Sequence, residues 1–239
     1  MNSELNQASR QAEIKAGIRK RLIQLAMQIL FLAAVLFISS GRLDWVAAWV
    51  YLGLFVFGLA VNGYVLYREN PELIAERAEV RGETKGWHQV VSICILLAGV
   101  GLLLVAGLNT RFGWPPQVPA FLQMLALVPM LMGYAFSSWA MITNSFFAPT
   151  VRIQDERGHA VVSDGPYGWV RHPGYAGWSL ALITTPLVLG SFWALVPGIL
   201  AATLLVVRTV LEDRFLREEL DGYAEYAQRV RYRFVSGIW

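Results

Sequence analysis

Long apolar runs separated by short polar loops constrain the fold of this chain more than any other feature. A helix needs about 20 apolar residues to cross roughly 30 Å of hydrocarbon, where only its own hydrogen bonds satisfy the backbone. Six runs approach this length, and they cover residues 22–39, 45–66, 90–108, 118–142, 175–189 and 191–207. Because 56% of the 239 residues are hydrophobic and only 15% are charged, we predict an all-α, polytopic integral membrane helical bundle with six transmembrane helices.

The last two runs are short and adjacent. They are broken only at Gly190 and Ser191, so the sequence predicts a tight helical hairpin instead of one very long helix. Pro186 and Pro197 are expected to kink its two arms. The charged, tyrosine-rich residues 211–239 that follow are predicted to form a cytoplasmic amphipathic segment.

The basic residues indicate how the chain is oriented. Among the 20 lysines and arginines, only Arg42 and Arg111 would lie on the face opposite the two termini. Cytoplasmic loops are rich in lysine and arginine, so both termini are expected in the cytoplasm, with the chain in a bacterial inner membrane. The first apolar run follows a long polar segment without a cleavage site, which predicts an uncleaved signal anchor. Anionic lipid headgroups are the expected partners of this basic face, and no nucleic acid is expected.

The chain divides into an apolar first part and a second part that holds most of the unusual polar residues. We predict a single membrane domain over residues 1–239, with a transmembrane scaffold in 1–142 and a cofactor-binding and catalytic part in 143–239. In the scaffold, the loop after the second run is predicted to form an interfacial amphipathic helix from Pro71 to about Val80.

The polar residues of the second part fall into two groups. The first group shares one loop and the helix start that follows it: Gln154, His159, Tyr167, Arg171, His172 and Tyr175. That helix should begin at Pro173, because a missing N–H and a fixed φ suit the first turn. Arg208 and Glu212 form the second group, one helical turn apart at the end of the sixth run. The hairpin is expected to bring the two groups together.

Motifs for other chemistry are weak. The single cysteine, Cys94, lies in an apolar run and leaves no internal disulfide. None of the three histidines has the partner spacing of a zinc ligand, so no metal is expected. Gly99-Val100-Gly101 also lies in an apolar run, without the strand, third glycine and acidic residue of a dinucleotide loop.

Three strings occur together in residues 144–239. They are Gln154-Asp155-Glu156-Arg157-Gly158-His159-Ala160-Val161-Val162 with Gly165-Pro166-Tyr167, then Arg171-His172-Pro173-Gly174-Tyr175-Ala176-Gly177, and finally Arg208-x-x-x-Glu212-Asp213-x-x-Leu216 with Tyr223-x-x-Tyr226. Together they resemble the isoprenylcysteine carboxyl methyltransferase family, part of a wider group of membrane methyltransferases that includes phospholipid methyltransferases. Two positions depart from the family pattern: Asp213 replaces a frequent glutamate, and Ser236 replaces a frequent proline.

The resemblance implies that S-adenosyl-L-methionine is the methyl donor, bound in a cytoplasm-facing pocket under the C-terminal segment. By that resemblance the donor site consists of Gln154, His159, Ala160, Val161, Val162, Tyr167, His172, Pro173, Gly174, Tyr175 and Glu212. Arg208 would bind the acceptor, and Arg208 and Glu212 would be the catalytic residues. These residue types suit the donor, since aromatic faces attract a sulfonium and helix N-termini attract a carboxylate.

The predicted function is therefore methyl transfer to a lipophilic acceptor that enters from the membrane. Carboxyl O-methylation of an isoprenylcysteine-like or other isoprenoid acid is favoured, and a hydrophobic thiol is also compatible. A phospholipid or small-amine N-methyltransferase is an alternative, in which Glu212 or Asp213 would act as the base. Two other classes stay open: an NADPH-dependent membrane reductase of the steroid-reductase type and a non-catalytic membrane scaffold.

Overall fold

The computed structural model describes residues 2–79 and 86–239, and within these ranges the chain is helical apart from its loops. The α-helices are α1 (Asn2–Ser40), α2 (Val46–Glu69), α3 (Pro71–Glu76), α4 (Gly86–Phe112), α5 (Ala120–Thr143), α6 (Pro173–Val188), α7 (Leu195–Glu219) and α8 (Tyr223–Arg229). The only β-pairing in the described ranges is an isolated bridge between Gln117 and Ser191. The predicted all-α class is confirmed.

Five described helices are long and apolar enough to cross a membrane: α1 from Arg10 onward, α2, α4, α5 and α7. Their outer surfaces carry large apolar side chains, such as Leu30 and Met124, each 70% exposed. Contact of such a continuous apolar surface with water is unfavourable, whereas contact with lipid acyl chains is not. The chain is therefore an integral multi-pass membrane protein.

Helices α6 and α7 correspond to the predicted hairpin. Helix α6 begins at Pro173, as predicted, and has 16 residues. Gly190 turns the chain with φ of 83°, and the Ser191 hydroxyl accepts a hydrogen bond from the backbone N–H of Ala194 at 3.2 Å. Since α6 is shorter than the five helices that are long and apolar enough to cross a membrane, the sixth span stays a prediction, as does the orientation of the termini.

Two local predictions need correction. Pro197 is the third residue of α7, where its missing N–H removes no hydrogen bond within the helix, so no kink is required there. Helix α3 starts at Pro71 as predicted but ends at Glu76, and the Asn70 side chain caps it by accepting from the Leu73 N–H at 3.1 Å. Val80, the predicted end of that helix, lies outside the described residues.

Small residues allow α5 and α6 to pack closely. A Cβ atom added to Gly133 would lie 2.6 Å from the carbonyl oxygen of Gly177, so no larger side chain fits without movement. One turn further along, the Ser137 hydroxyl donates to the Gly174 carbonyl at 2.7 Å. This contact holds the first turn of α6 against α5. Because α5 ends at Thr143, the predicted division at residue 142 falls at its end, and that division stays a prediction.

The C-terminal segment folds back onto the polar end of the α6–α7 hairpin. Leu220, Tyr223, Tyr226 and Ala227 form a buried cluster, against which Ile153, Val161, Leu216 and Val230 pack. Beyond α8, the carbonyls of Tyr232 and Arg233 accept hydrogen bonds from the backbone N–H groups of Arg171 and His172, each at 2.9 Å. The tail therefore covers the loop that precedes α6.

Candidate active site

A cavity of about 320 Å³ lies between the loop before α6, the first turn of α6, the polar end of α7, and α8. This volume is near the lower limit of small-molecule sites. Eleven of the twelve predicted site residues line it: Gln154, His159, Ala160, Val161, Val162, Tyr167, His172, Gly174, Tyr175, Arg208 and Glu212. The twelfth, Pro173, does not line the cavity and is buried as the first residue of α6.

Gln154 braces the loop that forms one wall. Its side-chain amide donates to the Phe146 carbonyl at 2.8 Å, and its amide oxygen accepts from Arg157 Nη1 at 2.7 Å. The side chain is fully buried. Because both ends of the amide are engaged, Gln154 shapes the cavity mainly through these loop contacts.

His159 is held in its neutral form. Its Nδ1 accepts a hydrogen bond from the backbone N–H of Gln154 at 3.3 Å, and its ring centroid lies 4.6 Å from that of Phe146. Burial is the largest cause that lowers the pKa of His159 below its usual value. With Nδ1 accepting, the proton resides on Nε2, which can donate to a ligand.

Tyr167 forms a second wall and is fixed at both ends. Its hydroxyl donates to the Ala140 carbonyl at 3.3 Å and accepts from Asn144 at 3.2 Å. Its carbonyl accepts from the Tyr226 hydroxyl at 2.7 Å. Burial raises the pKa of Tyr167, so the phenol stays neutral. Tyr167 therefore joins α5, the loop and α8 around the cavity.

Tyr175, Arg208 and Glu212 form a connected group on the hairpin. The Tyr175 hydroxyl donates to Glu212 Oε2 at 2.7 Å. Arg208 Nε lies 3.8 Å from the same oxygen, and its Cζ lies 5.2 Å from the Tyr175 ring centroid. The hairpin thus brings the two polar groups of the sequence together, as its geometry predicted.

Two residues of α4 and one carbonyl of the loop after α5 fix the guanidinium of Arg208. Its Nη2 donates to His88 Nε2 and to the Pro149 carbonyl, both at 3.0 Å, and its Nη1 donates to the Ser92 hydroxyl at 3.2 Å. Arg208 Nε is buried without a hydrogen-bond partner among the described residues. Sequence reasoning missed His88 and Ser92, although a histidine two residues before an apolar run and a serine one helical turn further along were a usable signal.

Asp213 is the buried centre of an ion-pair network. Its Oδ1 lies 2.6 Å from Arg171 Nε, and its Oδ2 accepts from Arg233 Nε at 3.0 Å and Arg217 Nε at 3.2 Å. The Tyr223 hydroxyl donates to Oδ1 at 3.1 Å. A carboxylate with three arginine partners is held ionised, so Asp213 is a poor general base. The N-methyltransferase alternative is therefore weaker in the version where Asp213 acts as the base.

His172 links this network to the cavity. Its Nε2 lies 3.3 Å from the Tyr223 hydroxyl and 3.5 Å from Asp213 Oδ1. Its ring stacks on Tyr175 with a centroid distance of 5.9 Å and an angle of 10°. The pKa of the neighbouring Arg171 is raised: burial lowers it, but the hydrogen bonds and charge of Asp213 raise it by more.

Arg77 is a further cavity residue that sequence reasoning did not select. It follows α3 in the scaffold and lines the cavity, and its Nη1 donates to the Phe147 carbonyl at 2.9 Å. A cation from a distant part of the sequence therefore joins the loop and hairpin residues. Among the described residues, no group of three His, Cys, Asp or Glu side chains has the arrangement of a metal site.

Comparison with known proteins supports the resemblance noted in the sequence. Residues 124–218 match the model of the isoprenylcysteine carboxyl methyltransferase (ICMT) family. Protein-S-isoprenylcysteine O-methyltransferase of Xenopus laevis is 31% identical over 123 residues, which cover 49% of this chain and 43% of that protein. The Homo sapiens protein of the same name is 29% identical over 136 residues, covering 52% of this chain and 46% of that protein.

A solved structure of the eukaryotic intramembrane Ras methyltransferase ICMT, determined without a monobody, aligns with 91% of this chain and 99% of its own. The TM-score of this alignment is 0.44 and its sequence identity is 17%. The chain spans about half the length of the curated relatives it matches. The family resemblance predicted from the motifs is confirmed for the segment that contains α6 and most of α7.

Proposed function

We propose that this chain, a member of the isoprenylcysteine carboxyl methyltransferase family through residues 124–218, methylates a lipophilic acid with S-adenosyl-L-methionine as donor. One observation carries the proposal: a single cavity combines the first turn of α6, the Glu212 carboxylate and the anchored guanidinium of Arg208. The acceptor class is an isoprenylcysteine-like or related isoprenoid carboxylate. Its chain would occupy the membrane, and its carboxylate would reach the cavity near Arg208.

The lining residues fit the chemistry of the donor. Glu212 supplies a negative charge beside Tyr175, whose ring stacks on that of His172, and both the charge and the aromatic rings favour a sulfonium cation. The Nε2–H of His159 is available to an acceptor atom of the adenosine. The first turn of α6, at Gly174, attracts the amino-acid carboxylate through the partial positive charge of its N–H groups.

The transfer requires little acid–base chemistry. When bound, the donor supplies an electrophilic methyl group on a positively charged sulfur. An oxygen of the acceptor carboxylate forms a bond to the methyl carbon while the carbon–sulfur bond breaks, and the bonding electron pair stays on sulfur. One positive and one negative charge disappear together, and no proton moves. Residues of this chain therefore contribute chiefly by aligning the reactants and excluding water.

Arg208 is proposed to align the acceptor carboxylate. Its contacts with His88, Ser92 and the Pro149 carbonyl fix the guanidinium plane before the acceptor binds, which reduces the entropy lost on binding. Because charge is lost during the transfer, a strong ion pair with Arg208 stabilises the bound acid at least as much as the transition state. Arg208 should therefore act through binding and orientation.

We further propose that the cavity faces the cytoplasm, on the basis of the basic residues that accompany it in the sequence. Residues 1–142 would then serve as the membrane scaffold and residues 143–239 as the catalytic part. The contacts of Arg208 with His88 and Ser92 support a direct role for the scaffold in the site.

Methyl transfer from isotope-labelled S-adenosyl-L-methionine to an S-farnesylated cysteine acid tests the proposal. The wild-type protein in detergent or vesicles should form the base-labile methyl ester. Arg208→Gln should lower kcat/KM for the acid by about 100-fold, the effect of losing a hydrogen bond between two charged groups. Arg214→Gln is the matched control, because Arg214 is exposed on the same helix.

The same experiment separates the alternatives. Methylation of a phosphatidylethanolamine headgroup, with no ester formed and little effect of Arg208→Gln, would favour an N-methyltransferase. Oxidation of NADPH in the presence of an unsaturated lipid would favour a reductase. Full ester formation by Arg208→Gln would contradict the role given to Arg208.

A further inference from the structure

We propose that Arg77 binds a carboxylate inside the cavity and is a second cationic anchor in addition to Arg208. The proposal rests on the proposed function, since it assumes that both substrates of the methyl transfer meet in this cavity. Arg77 lies outside residues 124–218, the segment that matches the family, and it reaches the site from the scaffold. Both the donor and the acceptor carry a carboxylate, so either could be its ligand.

The guanidinium of Arg77 is fixed at the cavity wall. The backbone N–H of Arg77 donates to the Leu73 carbonyl at 3.0 Å, which attaches the residue to the end of α3. Its Nη1 donates to the Phe147 carbonyl at 2.9 Å, and its Cζ lies 5.5 Å from the Phe147 ring centroid. One edge of the guanidinium is thus anchored, while the residue lines the cavity.

The charge of Arg77 has no counter-ion among the described residues. The other arginines that line the cavity differ in this respect: Arg152 pairs with Glu76 at 2.6 Å, Arg171 with Asp213 at 2.6 Å, and Arg208 with Glu212 at 3.8 Å. Burial lowers the pKa of Arg77 to about 10, with a smaller contribution from Arg21, so the side chain is still protonated at neutral pH. An unpaired cation in a desolvated position is unfavourable, and a bound anion removes that cost.

The surroundings of Arg77 favour an anion as well. A Cβ atom added to Gly174 would lie 2.7 Å from Phe147 Cε2, so the residue that anchors Arg77 packs directly on the first turn of α6. The N–H groups of that turn carry a partial positive charge. Arg77 and the first turn of α6 therefore share Phe147 as a neighbour, and both line the cavity. A carboxylate bound between them would accept hydrogen bonds from both.

Whether Arg77 binds the carboxylate of the donor is tested by comparing the affinities of two ligands for the Arg77→Gln variant. S-adenosylhomocysteine has the amino-acid carboxylate, whereas methylthioadenosine lacks the amino-acid part. If Arg77 binds the donor, calorimetric titration should show a loss of about 10–100-fold in affinity for S-adenosylhomocysteine and little change for methylthioadenosine. Arg77→Lys should recover part of the loss. Arg68→Gln is the control, because Arg68 is exposed at the end of α2.

The acceptor is tested by the kinetics of the same variant. If Arg77 binds the acid, KM for the farnesylated acid should rise by about 10–100-fold while both adenosyl ligands bind normally. Equal weakening of both adenosyl ligands, without recovery in Arg77→Lys, would indicate a purely structural role and overturn the inference. Unchanged binding and unchanged KM would overturn it too. If the wild-type protein binds no S-adenosylhomocysteine, the proposed function fails and the inference fails with it.

Discussion

Arg171 and Asp213 form a two-pronged ion pair in the interior, with Nε 2.6 Å from Oδ1 and Nη2 3.1 Å from Oδ2. The pair joins the loop before α6 to α7. Arg171 Nη1 also donates to the carbonyls of Val230 and Arg231, at 2.6 and 2.9 Å, so the same side chain holds the tail. The Arg171 side chain therefore connects three segments that enclose the cavity: the loop before α6, α7 and the C-terminal tail.

Asp213→Asn should destabilise the folded protein. Removing one partner of a buried ion pair typically lowers the free energy of unfolding by about 3–5 kcal/mol, because the remaining charge is left uncompensated. Here Arg171, Arg217 and Arg233 would lose their common carboxylate. Thermal unfolding in detergent should show a lower Tm, together with weaker binding of S-adenosylhomocysteine. Asp221→Asn, at an exposed position, should change neither; an unchanged Tm in Asp213→Asn would contradict the network's role.

Gly133→Ala should disturb the packing of α6 against α5. The new methyl group would lie 2.6 Å from the Gly177 carbonyl oxygen, and overpacking of this kind typically costs about 1–3 kcal/mol. Gly99→Ala is the matched control, since nothing lies within 4 Å of a Cβ at that position in α4. Thermal unfolding of both variants checks the prediction. Equal Tm values in the two would show that the close approach has no energetic consequence.

His88→Ala should impair catalysis without affecting the binding of the methyl donor. His88 Nε2 accepts from Arg208 Nη2 at 3.0 Å, so its loss frees the guanidinium to adopt other orientations. We expect kcat/KM for the acid to fall by about 10-fold, the effect of one hydrogen bond to a charged group. Affinity for S-adenosylhomocysteine should be unchanged. His88→Gln, which retains an acceptor, should recover part of the activity, and failure of this rescue would argue for a general packing role.

Donor binding should weaken at acidic pH because of His159. The hydrogen bond from the Gln154 N–H requires a neutral Nδ1, and burial lowers the pKa of His159 in the folded state. Below the unfolded value of about 6.5, the unfolded chain binds a proton that the folded chain does not. The stability that neutral His159 contributes is therefore complete above about pH 6.5 and is lost as the pH falls toward the lower folded pKa. Protonation of Nδ1 also breaks the hydrogen bond from the Gln154 N–H that holds the cavity wall. Titrations of S-adenosylhomocysteine from pH 8 to 5 should therefore show a falling affinity, and His159→Gln should abolish this pH dependence.

Local signals in the sequence predicted the elements on which the site is built. Pro173 marked the start of α6, and the break at Gly190 marked the hairpin that brings Arg208 and Glu212 to the loop residues. These are short-range features, determined by backbone geometry and hydropathy. The donor-site residues themselves came from the family resemblance, and eleven of the twelve predicted site residues line the cavity.

Contacts between distant parts of the chain could not be predicted in this way. Arg77 and Phe147 are 70 positions apart, and His88 and Arg208 are 120 positions apart. Neither pair has a fixed spacing that a motif could record. Asp213 was named from the sequence as a departure from a family pattern and as a candidate base, whereas its three arginine partners depend on how the loop before α6, α7 and the tail pack together.

Binding of the adenosyl ligand tests the central claim most directly. Calorimetric titration of the detergent-purified protein with S-adenosyl-L-methionine and S-adenosylhomocysteine should give saturable binding to both. His172→Ala, which alters the ring between Tyr175 and Tyr223, should lose most of that affinity, and NADPH should not bind. Binding of NADPH in place of the adenosyl ligands, by protein shown to be folded, would contradict the account.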